Sequence, residues 1–128
     1  MSEMSTLRGI LLHCGRGATR LFRNNVAGAW VGQSRRFSRA ETVVVQPGDV
    51  LIRNARPLHA GLCEGSSDLI GWTVRDGRAV FAAIEVKAER GRVTPEQQRF
   101  IDVVREAGGV AGVARSVEDA RAILSDER

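Results

Sequence analysis

Two short runs hold the residue types that can do chemistry: Gly65-Ser66-Ser67-Asp68-Leu69-Ile70 and Ile84-Glu85-Val86-Lys87. Between them lies Asp76-Gly77, the commonest kind of two-residue hairpin signal, flanked by strand-like segments from Ser67 to Arg75 and from Arg78 to Lys87. A tight turn there sets Arg75 opposite Arg78, and counting back sets Asp68 opposite Glu85. Residues two apart on a strand share a face, so Glu85 and Lys87 stand on the side of Asp68. Ile84 and Val86 point the other way, into a core.

Two carboxylates opposed across a ladder repel each other. A divalent cation between them removes that cost, and Mg²⁺ typically takes one or two carboxylates while keeping several waters. Oxygen ligands accept Mn²⁺ as well. A lysine beside such a pair can orient or deprotonate an attacking water, or neutralise charge on a phosphate. Lys87 is the only lysine in the chain; every other cationic side chain of the Lys/Arg kind is arginine. A compact ammonium is not interchangeable with a guanidinium fork. The spacing therefore points to phosphodiester hydrolysis.

The flanking elements must hold this hairpin. Thr94-Pro95-Glu96-Gln97 opens a helix, with Thr94 as N-cap, Pro95 at the first helical position and Gln97 completing a capping box. That helix carries Phe100, Ile101, Val104 and Ala107 and stops at Gly108-Gly109. Gln97 shares its face with Ile101 and Val104, so it either caps and nothing more or reaches the reacting centre. A short apolar strand follows over Val110 to Ala114, then a last helix capped by Ser116 and Asp119 with Val117, Ala120 and Leu124 inward. Upstream, Ser2 ahead of Glu3 starts a helix over about 2–14, with Leu7, Ile10, Leu11 and Leu12 as its apolar stripe and Gly15 as its stop. The expected fold is α/β, one mixed central sheet flanked by helices in the order αβββαβα.

At 128 residues one domain over 1–128 is expected, with its core over about 21–124. No apolar run is long enough to span a bilayer. Cys14 and Cys63 make no metal-ligand spacing and read as free thiols in a reducing cytoplasm. Residues 1–60 carry nine arginines against three acids, whereas residues 61–128 carry ten basic residues against twelve acids. A basic half beside an acidic half suits a polyanion held by one part and cut by the other; a solvated arginine-rich surface is the plainer reading.

Several polar stretches of the basic half suit nucleic acid. Leu21 onwards reads as a short strand running into Arg23, Asn24 and Asn25, which suit phosphates or bases or simply a turn. Trp30 is either a stacking platform or a partly buried core residue. Arg35, Arg36 and Arg39 populate a polar loop. Thr42 to Val45 and Val50 to Ile52 flank the turn Gln46-Pro47-Gly48-Asp49, predicting an inserted hairpin over about 42–56, with Arg53 and Arg56 at its end. His59 reads as a surface histidine.

The ordered set of GxxDL (Gly65 to Leu69), ExK (Glu85 to Lys87), Thr94-Pro95-Glu96-Gln97 and Ala107-Gly108-Gly109 resembles the VRR-NUC (virus-type replication-repair nuclease) family, of the PD-(D/E)xK, restriction-endonuclease-like superfamily. Arg23-Asn24-Asn25 and the Arg115 to Ala120 run are similar to stand-alone phage and bacterial members. The resemblance implies metal ligation by Asp68, Glu85 and the Val86 carbonyl, a water-positioning role for Lys87 and an active-site role for Gln97. It also implies an acidic residue on the first helix, for which Glu3 is the candidate. The implied protein is a Mg²⁺- or Mn²⁺-dependent DNA endonuclease in a bacterial cytoplasm, encoded by bacterium or phage, resolving branched DNA such as a Holliday junction as a homodimer. Action on flap, nicked or single-stranded DNA, and an inactive DNA-binding module, are the alternatives.

Overall fold

The computed structural model describes residues 2–25, 29–58 and 60–126; Met1, Val26 to Gly28, His59 and the last two residues lie outside the described residues, and with them the surface reading of His59. The described residues divide into two units, Met1–Val26 with Ala60–Arg128, and Ala27–His59.

Among the described residues the first unit holds every helix and strand: α1 (Glu3–Cys14), β1 (Arg20–Arg23), β2 (Leu69–Arg75), β3 (Arg78–Val86), α2 (Pro95–Glu106), β4 (Val110–Ala114) and α3 (Val117–Leu124). This is the expected αβββαβα order. The strands form one sheet in the order β1-β2-β3-β4. β1, β2 and β3 pair antiparallel, while β4 runs parallel to β3 after the crossover through α2.

Local chemistry accounts for the elements. Ser2 caps α1 by accepting a hydrogen bond from the Ser5 N–H at 3.2 Å. The buried stripe of α1 is Thr6, Leu7, Ile10 and Cys14; Leu12, expected within it, points to solvent at 57% exposure. Asp76 and Gly77 both take positive φ, 51° and 71°, as a type I′ turn requires. That turn fixes the register, from Arg75 opposite Arg78 to Leu69 opposite Ile84. Both parts of the α2 capping box are formed, and Ser116 caps α3 through the Asp119 N–H.

Alternation along the hairpin splits the core in two. Leu69, Ile84 and Val86 pack with Leu7 and Ile10 of α1 and Ala120 of α3 on one face. Ala83 and Ala111 pack with Ile101 and Val104 of α2 on the other. α2 lies against β3 and β4, and further along the same face Phe22, Trp72 and Phe81 are exposed, with the Phe22 and Trp72 rings 5.6 Å apart.

The second unit corrects one expectation. The turn at Gln46–Asp49 is formed, with the Asp49 N–H donating to the Gln46 carbonyl at 3.0 Å, the Gln46 N–H donating to Asp49 Oδ2 at 2.7 Å, and Gly48 at φ 93°. No strands flank it: the hairpin expected over about 42–56 is absent. Thr42 to Val45 and Val50 to Ile52 are continuous apolar runs rather than alternating ones, so neither offers one buried face and one wet face. Val44 and Leu51 stand 79% and 63% exposed. An isolated two-stranded hairpin is marginally stable at best in water.

Candidate active site

The hairpin register carries the acidic pair. With Leu69 opposite Ile84, Asp68 falls opposite Glu85 as the ladder is extended by one residue. Asp68 Oδ2 accepts a hydrogen bond from the Val86 N–H at 2.8 Å, which binds its carboxylate to the facing strand. Glu85 is 3% exposed, on the α2 side of the sheet. Its Oε1 accepts from Gln97 Nε2 at 2.9 Å and lies 3.5 Å from Lys87 Nζ. Its Oε2 is buried with no hydrogen-bond partner. Asp68, Glu85, Lys87 and Gln97 thus meet at one place.

Burial, first, and then the neighbouring Asp68 carboxyl push the Glu85 carboxyl up from the usual 4.5 to about 7, against the opposing pull of Lys87. The environment is therefore short of positive charge. A divalent cation fits it: one carboxylate oxygen is orphaned, a second carboxylate faces it, and both are hard oxygen donors. Among the described residues no three His, Cys, Asp or Glu side chains converge on a metal position, so the side-chain donors on offer are this pair. Val86 sends its side chain into the core, which leaves only its backbone near the pair.

Gln97 caps the helix and also touches Glu85. Its Oε1 accepts from the Thr94 N–H at 2.9 Å, completing the helix cap, while its Nε2 reaches Glu85. A single amide ties the start of α2 to the site. Gly65 allows that approach: at φ 80°, a Cβ on it would fall 2.6 Å from the Glu96 backbone.

Glu3 approaches the end of β3 from α1. Its Oε1 accepts from the Ala88 N–H at 3.2 Å, one residue beyond Lys87, and it braces the chain leaving β3. Arg115 grips the same stretch from the end of β4, donating from Nη1 to the carbonyls of Ala88 at 2.5 Å and Gly91 at 2.8 Å. The Lys87 N–H adds a bond to the Ala114 carbonyl at 3.0 Å. Sequence reasoning missed the role of Arg115. Its signal was position: the residue after a parallel neighbour strand projects toward the same sheet end as Lys87.

The residues expected to touch DNA separate. Arg23 and Asn25 are exposed, whereas the Asn24 side chain turns into its own chain, with Nδ2 2.6 Å from Ser66 Oγ. Arg35, Arg36, Arg39, Arg53 and Arg56 are exposed within the second unit, where Arg35 pairs with Glu41 and lies 4.7 Å over the Phe37 ring. Trp30, also in that unit, is 75% exposed, so its partly buried reading does not hold. Cys14 and Cys63 are free, one buried and one exposed.

The hairpin thus sets two hard oxygen donors beside an ammonium in a mixed sheet of this order. A VRR-NUC domain spans residues 31–118, and the chain belongs to the VRR-NUC family. That membership implies a nuclease of the PD-(D/E)xK kind, in a family whose nucleases are generally metal-dependent, with DNA as the substrate a nuclease domain implies. No curated protein and no solved structure matches the chain. Among the described residues no helix is long and apolar enough to cross a membrane.

Proposed function

We propose that this protein is a divalent-metal-dependent, structure-selective DNA endonuclease of the junction-resolving kind, working as a homodimer. One observation carries the chemistry: Glu85 Oε2 is buried and unpartnered beside Asp68, with Lys87 at hand. Asp68, Glu85 and the Val86 carbonyl would hold Mg²⁺ or Mn²⁺. The ion would lower the pKa of a bound water and offset charge on the phosphate. Lys87, held by the Glu85 contact and by its own backbone bond to Ala114, presents its ammonium to the attacking water or a phosphate oxygen. Gln97 holds the Glu85 carboxylate in one orientation.

Recognition of DNA shape rather than base sequence is part of this proposal. Two-fold pairing would set two such sites against two strands of a branched substrate. The test is cleavage of labelled four-way junction, flap, nicked and plain duplex DNA in Mg²⁺, Mn²⁺ or EDTA, with sedimentation to give the oligomer. Symmetric, metal-dependent cutting of the junction by a dimer is the expected result. Cutting of flaps or single strands alone would keep the nuclease and discard the resolvase. DNA binding without any cutting would discard both.

A further inference from the structure

Asn24 sits one residue past β1, where the sequence suggested a DNA contact, and both polar atoms of its side chain are committed to the chain itself. Nδ2 donates to Ser66 Oγ at 2.6 Å and to the Ser67 carbonyl at 3.0 Å, while Oδ1 accepts from the Leu62 N–H at 2.9 Å. The Asn24 backbone N–H donates to the Asp68 carbonyl at 2.8 Å. Ser66 passes the restraint on, because its Oγ donates to the Cys63 carbonyl at 2.7 Å. One amide therefore spans the loop from Leu62 to Asp68. The job needs two donors and an acceptor on a short stem, which a carboxylate or a hydroxyl does not supply.

The loop ends on Asp68. Its carboxylate is tied to Val86 on one side, and its main chain is tied to Asn24 on the other. Productive sites hold their groups within about 0.5 Å, and a loop is the least precise scaffold for that unless something locks it. We infer that Asn24 is a positioning residue for Asp68, clamping the Leu62–Asp68 loop so that the carboxylate stands opposite Glu85, and that it is not a DNA contact. The assignment rests on the reading of Asp68 and Glu85 as the metal-holding pair.

The test compares wild type, Asn24→Ala, Ser66→Ala and the double variant. Melting curves report folding, and calorimetry reports Mn²⁺ affinity. Amide exchange follows Leu62 to Asp68, and DNA affinity is measured in Ca²⁺. Values of kcat and KM are taken on whichever DNA wild type cuts. Asn24→Ala should speed exchange at Leu62 by about tenfold or more and raise the Mn²⁺ Kd by about tenfold, scaled from the loss of a supporting partner at a metal site. It should lower kcat by about a hundredfold, the scale of a 1 Å misplacement, with KM and DNA affinity within about twofold. Ser66→Ala should give a smaller loss in the same direction and add little on top of Asn24→Ala.

Unchanged Mn²⁺ affinity in folded Asn24→Ala, with only the melting point lowered, would overturn the inference and leave a plain structural brace. Lost DNA affinity with intact Mn²⁺ binding would overturn it in favour of a DNA contact. If Asn24→Ala does not fold, Ser66→Ala decides alone, since it removes the Asn24–Ser66 bond and the Ser66–Cys63 bond while leaving the rest of the clamp: weaker Mn²⁺ binding sustains the inference and unchanged binding ends it. If wild type cuts no DNA, the nuclease reading fails while the metal and exchange measurements still judge Asn24.

Discussion

The Glu85 carboxyl makes the metal-free protein sensitive to pH in a direction opposite to ordinary acid denaturation. Burial and Asp68 raise it from the usual 4.5 to about 7 in the folded chain. A raised carboxyl binds its proton more tightly when folded, so its stabilising contribution is whole below pH 4.5 and disappears as pH climbs through 7. The gap between those values corresponds to roughly 3 kcal/mol at about 1.4 kcal/mol per unit. For a unit of this size that is on the order of 10 °C in melting temperature. The assay is thermal and urea unfolding in EDTA from pH 4.5 to 8.5, for wild type and Glu85→Gln. The difference between the two proteins removes whatever pH dependence they share. Wild type should lose about 3 kcal/mol relative to the variant across that window. Mg²⁺ at pH 8 should restore it in wild type only, because a cation favours the ionised pair. Parallel pH profiles for the two proteins would refute the buried, cation-hungry Glu85 on which the site is built.

Three further outcomes are expected. Lys87→Ala should abolish cleavage, by a factor of about 10² or more, while folding and DNA binding persist, and turnover near wild type in the same cleavage assay would remove Lys87 from the chemistry. Gly65→Ala forces a Cβ onto the Glu96 backbone from a left-handed conformation, so it should cost about 1–3 kcal/mol in urea unfolding and slow cleavage by moving Gln97; a stability within error of wild type would show that α2 does not depend on that approach. Reversing Arg35, Arg36 and Arg39 to glutamate should weaken binding of all DNA sequences and flatten the dependence of affinity on salt. An unmoved salt slope would take that loop off the substrate path.

What could be read from the sequence was local. Asp76-Gly77 named a turn type, the turn fixed a register, and the register alone set Asp68 against Glu85. The caps of α1, α2 and α3 were legible for the same reason, since each is a contact three residues long. Contacts between distant parts of the chain were not. Nothing in Arg23-Asn24-Asn25 says that a loop some forty residues on will bond to the Asn24 side chain. Arg115 was part of a motif without a job until β4 was laid beside β3. The inserted hairpin failed in the opposite way. Its turn residues were right, but a ladder also needs a surface to lie on, and the sequence of residues 42–56 says nothing about whether one exists.

The site is where this chain breaks its own rules. Along the rest of the hairpin the turn chemistry and the register demand the same pairing. One residue beyond its last rung it opposes two acids and buries one of them, a choice whose cost grows as Glu85 ionises. The neighbours only partly offset that choice. Gln97 and Lys87 both approach Oε1, and Oε2 is left without a partner. An arginine fork from α2 would satisfy both oxygens and stabilise the pair outright, in a chain that uses arginine freely elsewhere. It would also close the position to any other cation. A lysine and an amide, each reaching one oxygen, hold Glu85 in place and leave the other oxygen to be claimed.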